Sequence, residues 1–224
     1  PSEGAGALRQ ELMEGGPQSP PLILRRMKSS QLSDFPSKHF EVYPIAMPLE
    51  QASAYADCVR DALATESEPR PGRMLEILQR LRSISLHPFD PQGASSPKAY
   101  VQQSGRLIGL MRILEGIRAK GEKALIFVEH LAMQEFVARY VAEHFGLAGA
   151  LPRIHGGVPG SQRQSIVDRF QSKQPGFDAL VLSPKAGGVG LNITAANHVI
   201  HLSRWWNPAV EDQATDRAYR IGQT

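Results

Sequence analysis

The sequence has one cysteine, two tryptophans and no long apolar run. A lone thiol, Cys58, forbids an internal disulfide and is too little for a thiolate zinc site. The expectation for it is a small, buried side chain in a reducing compartment. Apolar runs such as Ala124–Val128 fall far short of the roughly 18–20 residues of a membrane span, so no transmembrane helix is expected. Charge of one sign is scarce as well. The chain of 224 residues sets 25 Lys and Arg against 22 Asp and Glu, a net charge of +3, and neither half carries a polybasic tail. Any contact with nucleic acid has to come from a few placed groups, not from bulk charge. The start, Pro1-Ser2-Glu3-Gly4, lacks a secretory pattern and an initiator Met, and both ends read as those of a piece of a longer protein.

Several catalytic signatures are missing too. There is no H-E-x-x-H, no G-x-S-x-G and no Cys/His pair at catalytic spacing. No stretch matches the phosphate loop G-x-x-x-x-G-K-[ST]. His198 and His201, three apart on an expected strand, point to opposite faces and suit no shared metal. His155, before Gly156-Gly157, reads as a loop residue. Val128-Glu129-His130 offers one carboxylate where a magnesium-binding strand end usually has two, so it is assigned to the start of a helix, and no metal site is expected.

What is present is an alternation of strands and helices. Residues 1–47 read as a tail and connector, with a short helix around Ala7–Glu14 and a strand over 40–47. Residues 48–97 hold two amphipathic helices, one opened by Pro48 and running to about Ala64, the other over Met74–Ser85, then a proline-containing linker. Residues 98–224 form the main domain. One helix is expected from Ala99 to Arg118, then strands at Ala124–Val128, Leu151–His155, Ala179–Ser183 and His198–Leu202. Helices between them cover Ala132–Phe145, closed by Gly146, and Ser161 (as N-cap) to Phe170; a last one covers Pro208–Tyr219. Strands alternating with helices indicate a parallel α/β sheet.

In such a sheet, ligands sit beyond the carboxyl ends of the strands. Ser183-Pro184-Lys185-Ala186-Gly187-Gly188-Val189-Gly190-Leu191-Asn192 follows the third strand. Its glycines let the backbone approach a ligand, and Ser183 and Lys185 suit phosphate oxygens; a plain glycine turn is the other reading. Gln213, Arg217 and Arg220 share one face of the last helix, and paired arginines can meet a polyphosphate bidentately or simply pair with neighbouring acids. Trp205-Trp206-Asn207-Pro208 can stack a base or pack between elements.

The run from Leu182 to Gln223, with A-G-G-V-G-L-N, R-W-W-N-P and D-Q-A-T-D-R-A-Y-R-I-G-Q, closely resembles the last motifs of Snf-type DNA-dependent ATPases of helicase superfamily two. Arg153-Ile154-His155-Gly156 with Arg163 and Phe170, Lys123–Phe127, Leu24–Lys28, Phe35–Lys38 and Leu49-Glu50-Gln51 resemble further segments of that family. The resemblance implies a RecA-like second lobe, with helices on both sheet faces, following a connector and a helical protrusion. It implies ATP with Mg2+, the ion held mainly by a first RecA-like lobe of the same protein, and double-stranded DNA as partner. By resemblance Arg220 is the arginine finger, Arg217 assists and Gln213 orients the motif. Gly188, Gly190 and Asn192 face nucleotide; Ser183, Lys185, Gly187, Gly156 and Arg163 face DNA; Trp206 and Asn207 couple the two. The lobe alone is expected to hydrolyse no ATP.

His155, Ser203 and Pro184 depart from the family's usual Asp, Asp and Thr, and Pro184 removes a backbone donor beside the DNA. The R-W-W-N-P-A-V-E-D-Q-A form is similar to bacterial members, which implies a cytoplasmic, nucleoid-associated protein; a eukaryotic member would be nuclear. The resemblance leaves the cargo open among chromatin-like remodelling, displacement of RNA polymerase or another DNA-bound protein, and recombination-linked repair, and no membrane partner is expected. An RNA-directed helicase and a non-catalytic scaffold are the competing readings. Arg60, Arg73, Arg80 and Arg82 form either a DNA-gripping face of the protrusion or a solvated face balanced by acids.

Overall fold

The computed structural model describes residues 12–13, 39–64, 71–94, 96–172, 176–184, 191–203, 205 and 207–216. The chain divides into two units, residues 1–39 and 40–224. In the first, Leu12 and Met13 are helical, within the helix expected there, while residues 22–28 and 35–38 lie outside the described residues.

The second unit opens with a stretch of no regular secondary structure, not the strand expected over 40–47. Ile45 and Ala46 lie against a helix, α4 (Gly105–Lys120), and no described strand pairs with this stretch. Gly105 and Gly109 make that approach possible. A Cβ on Gly109 would stand 2.1 Å from Ile45 Cδ1, and one on Gly105 2.9 Å from the Ala46 carbonyl oxygen.

Helices α1 (Leu49–Ala64) and α2 (Arg73–Leu86) then pack against each other as a hairpin. Cys58 is buried there, as expected of a lone small thiol. The basic residues of the hairpin are engaged. Arg60 pairs with Asp57 at 2.8 Å, Arg80 reaches Asp61 at 4.0 Å, and Arg73 donates to the Ala62 carbonyl at 3.3 Å.

A single 3-10 turn (Pro91–Gly93) leads to α3 (Pro97–Gln102) and α4. One helix was expected here; the structure breaks it at Gln103-Ser104. Ser104 caps α4 by accepting from the Leu107 amide, and its hydroxyl donates to the Leu86 carbonyl at 2.6 Å. A buried serine thus exchanges helix continuity for two tertiary bonds.

Strands β1 (Lys123–Phe127), β2 (Arg153–Ile154), β3 (Asp178–Leu182) and β4 (His198–His201) form one parallel sheet in the order β2-β3-β1-β4. Residues 124–127 and 179–182 are wholly buried, as apolar runs covered on both faces must be. Side chains alternate between two cores. Ala124, Ile126, Ala179 and Val181 meet α4 and α5 (Leu131–Phe145), while Leu125, Phe127, Leu180 and Leu182 meet α6 (Gly160–Ser172).

Both α4 and α5 end at a glycine with positive φ, Gly121 (66°) and Gly146 (67°). The next amide in each reaches back to a carbonyl in the last turn, Glu122 to Ile117 at 3.2 Å and Leu147 to Ala142 at 2.8 Å. Helix α6 begins at Gly160, one residue before the expected cap. Ser161 lies inside the first turn, and the Pro159 carbonyl accepts from the Arg163 amide. Helix α7 covers Pro208–Thr215, and the rest of the expected last helix lies outside the described residues. No described helix is long and apolar enough to cross a membrane.

Candidate functional site

Because all four strands run the same way, their carboxyl ends open onto one edge. The segment after β1 leads to α5 on one face, and the segment after β3 returns through Leu191, Ile193 and Ala196 on the other. Adjacent strands β3 and β1 therefore send their continuations to opposite faces, the arrangement that leaves a crevice at a sheet edge.

Two candidate residues leave that edge from neighbouring strands. Ile154 pairs with Leu182, so the turn at Gly156 and Ser183 lie side by side, and the Ser183 amide donates to the Ile154 carbonyl at 2.9 Å. Arg163, on α6, closes over the same turn. Its Nε donates to the Val158 carbonyl at 2.6 Å and its Nη2 to the Gly156 carbonyl at 3.0 Å. The structure thus joins Gly156 and Arg163 directly. The guanidinium holds the loop's shape and keeps further N–H donors for an anion. His155 turns its Nδ1 to the Gly157 amide at 3.2 Å, a loop role as expected.

On the far side of β1, the segment after β4 is also held by its own side chains. Asn207 Oδ1 accepts from the Ala209 amide at 3.0 Å, which caps α7 with Pro208 in its first turn. The Trp205 amide donates to Glu211 Oε1 at 2.6 Å, so this acid is engaged with the backbone of the tryptophan segment. His201 stacks on Phe127 and meets the Thr215 hydroxyl at 3.0 Å, whereas His198 meets Glu122 at 2.5 Å. The two histidines serve separate contacts, in keeping with their opposite faces.

The end of β1 does not suit a divalent cation. Glu129 is its one carboxylate and bonds Arg82 at 2.8 Å. No group of three His, Cys, Asp or Glu among the described residues is placed to hold a metal ion.

Asn192, exposed, lies where the chain resumes after the glycine-rich segment. Gln213 lies on α7, its side chain undescribed; Lys185, Gly187, Gly188, Gly190, Trp206, Arg217 and Arg220 lie outside the described residues. Sequence reasoning missed Arg106, whose guanidinium spans the Leu202 carbonyl and Ser85 Oγ, both at 2.7 Å. It missed Gln51 as a tie: Nε2 donates to the Ile84 and Ser85 carbonyls and Oε1 accepts from the Gly105 amide. Nothing in the local pattern marks either, since their partners are 21 to 96 residues away.

Residues 107–222, which hold the whole sheet, match the family described as Helicase conserved C-terminal domain. The chain belongs to that family. It is 39% identical over 209 residues to YwqA of Bacillus subtilis, whose name describes an ATP-dependent helicase/translocase, covering 91% of this chain and 22% of YwqA. It superposes on the C-terminal domain of the Sulfolobus solfataricus SWI2/SNF2 ATPase with a TM-score of 0.64 and 32% identity, over 75% of this chain and 73% of that one. The core of that ATPase in complex with dsDNA gives 0.67 and 33%, over 80% of this chain and 37% of that one. The helicase C-terminal lobe described here is therefore of the Snf2 type, with a RecA-like fold. It spans about a fifth of the length of the curated relatives it matches.

Proposed function

We propose that this chain is the second motor lobe of an ATP-dependent translocase on double-stranded DNA. Residues 1–47 are its connector, 48–97 its protrusion and 98–224 the lobe. In this reading Arg220 reaches the γ-phosphate across a cleft shared with a first lobe, Arg217 assists and Gln213 orients them. An arginine so placed neutralises charge that develops during phosphoryl transfer and contributes about 10³–10⁵ in rate. Gly188, Gly190 and Asn192 approach the nucleotide. Ser183, Lys185, Gly187, Gly156 and Arg163 follow the DNA backbone, and Trp206 and Asn207 couple the two. The protein acts in the cytoplasm on DNA, against RNA polymerase or another bound protein.

The observation that carries this reading is the half-site at the sheet edge. Gly156, Arg163 and Ser183 meet there at the ends of β2 and β3, α7 follows β4 on the other side of β1, and Glu129, the single carboxylate at the end of β1, is bonded to Arg82. The described residues do not fit Mg2+, so its ligands are assigned to the first lobe. The matched ATPase core in complex with dsDNA supports the choice of duplex over RNA.

The test is the ATPase rate of the full-length protein without nucleic acid, with duplex DNA and with single-stranded RNA. Strong stimulation by duplex, lost in Arg220→Ala, is expected, with no hydrolysis by this chain alone. Stimulation by RNA only would move the assignment to an RNA helicase. An Arg220→Ala protein with unchanged rate would leave a scaffold.

A further inference from the structure

Two arginines outside the motifs tie the foot of the α1–α2 hairpin to the segment after β4. Arg106, in the first turn of α4, donates Nη1 to the Leu202 carbonyl and Nη2 to Ser85 Oγ on α2. Arg82, one turn before Ser85, pairs with Glu129 at the end of β1, and its guanidinium lies 5.9 Å from the centre of the Trp205 ring. Trp205 in turn is bonded through its amide to Glu211 on α7, and His201 meets Thr215 at that helix's end. From α2 to α7 the contacts form a chain in which the Arg82–Trp205 ring contact is the one link that is not a hydrogen bond or ion pair.

The chemistry of these contacts makes the connection stiff. Hydrogen bonds from a guanidinium are charge-assisted, and the rigid fork fixes the spacing of the two acceptors it bridges. Arg106, Ser85, Arg82, Glu129 and Trp205 are all half-buried, where such bonds are screened less than on an open surface. A packed, bonded joint of this kind transmits a displacement instead of absorbing it.

We infer that Arg106 and Arg82 are positioning residues for α7: they seat the hairpin on Leu202 and Trp205, which precede α7, so that force on the hairpin moves the helix that comes before Arg217 and Arg220 in the chain. This rests on the proposed role of those two arginines. It assigns the hairpin a mechanical part in phosphate hydrolysis, without contact between Arg106 or Arg82 and any reacting atom. A small misplacement of a catalytic group costs up to about 10²-fold in rate, which sets the scale of the effect.

The test uses the full-length protein and its duplex-stimulated ATPase. Ser85→Ala removes one acceptor of Arg106 and leaves the bond to Leu202. Arg106→Lys keeps the charge but replaces the planar two-nitrogen fork with one shorter-reaching ammonium. We expect kcat to fall about threefold in Ser85→Ala and about tenfold in Arg106→Lys and Arg82→Met. KM for ATP and the DNA concentration for half-activation stay within about twofold, and Ser85→Thr, which keeps the hydroxyl, restores kcat. Ser85→Ala also decides the matter if an arginine variant fails to fold. Folded variants with wild-type kcat overturn the inference. So does a loss of kcat that follows the melting temperature or comes with an equal rise in KM. Arg217→Ala and Arg220→Ala run alongside separate the two readings: if they abolish ATPase while the hairpin variants do not affect it, only the inference falls; if they leave ATPase unchanged, the proposed function falls with it.

Discussion

The sheet and the helical hairpin are built on different principles, although each consists of apolar residues at regular spacing. Sheet residues such as Leu125, Phe127, Leu180 and Val181 are fully buried. On the hairpin, Leu63 is 63% exposed, Met74 69% and Leu75 53%, and apart from Cys58 its buried apolar residues lie at the foot, Ile84 and Leu86. The foot is fastened by polar groups, Gln51 through three hydrogen bonds and Arg106 and Arg82 through two and one. Apolar area stabilises the sheet without specifying direction. A few directional bonds fix the hairpin's position with little area, and their loss leaves buried groups unsatisfied.

The contrast is broken most directly in the sheet. Leu180→Ala, at a fully buried position of β3, is expected to cost about 3–4 kcal/mol and to unfold much of the lobe in urea titrations. Gln51→Ala comes next. It strands the Gly105 amide and the Ile84 carbonyl, and about 2–3 kcal/mol is expected by the same titration. A cost no greater than that of a surface substitution would mean that apolar contacts hold the hairpin after all.

A pH effect at the joint is smaller and sharpens the comparison. His87 follows α2 and stacks on Tyr100 at 3.5 Å between ring centres. Its Nε2 lies 2.9 Å from the Tyr100 carbonyl and its Nδ1 3.0 Å from the Phe89 amide, contacts matched by the neutral ring with its proton on Nε2. Burial holds its pKa below the usual imidazole value, outweighing the Tyr100 and Phe89 carbonyls, which favour the charged ring. The unfolded chain thus takes up this proton first as pH falls. The contribution of the neutral ring is complete above about pH 6.5 and declines below it toward the lower folded pKa. Melting temperatures measured from pH 7.5 to 5 should fall, and less steeply in His87→Gln. The smallest effect is predicted at the exposed end of the hairpin, where Leu75→Ser should change stability by no more than about 0.5 kcal/mol.

The sheet was legible from the sequence because its signal is local. Short apolar runs at Ala124–Val128 and Ala179–Ser183, each set between helical patterns, place buried parallel strands within a residue of where they lie. Gly146 stops α5 for a reason contained in one residue, since only glycine enters the left-handed region at no steric cost. Less was legible where a local pattern has a distant competitor. The alternation of Phe40, Val42 and Ile45 reads as a strand, yet Ile45 is taken by the glycine face of α4. The helical periodicity across Gln103 continues in the sequence, yet Ser104 is claimed by Leu86.

The candidate site divides in the same way. Gly156, Arg163, Ser183 and Asn207 could be picked out by their place after strands and by family resemblance. That Arg163 clamps the Gly156 turn, and that Asn207 caps α7, required the fold. Glu129 is the clearest instance: a single acid at a strand end has no evident partner in the sequence, and its arginine lies 47 residues earlier, on the hairpin.

By itself the sequence determined the alternation of elements, the parallel sheet, the Snf-type motifs and the lack of a phosphate loop. Each of these depends on residue type at short spacing, which chain chemistry fixes before any long-range contact forms. Only the tertiary structure decided the strand order β2-β3-β1-β4, the pairing of Arg82 with Glu129 and the bridge from Arg106 to Ser85 and Leu202. Those depend on which buried donors meet which acceptors once the helices pack, a choice made by burial and geometry across the whole chain.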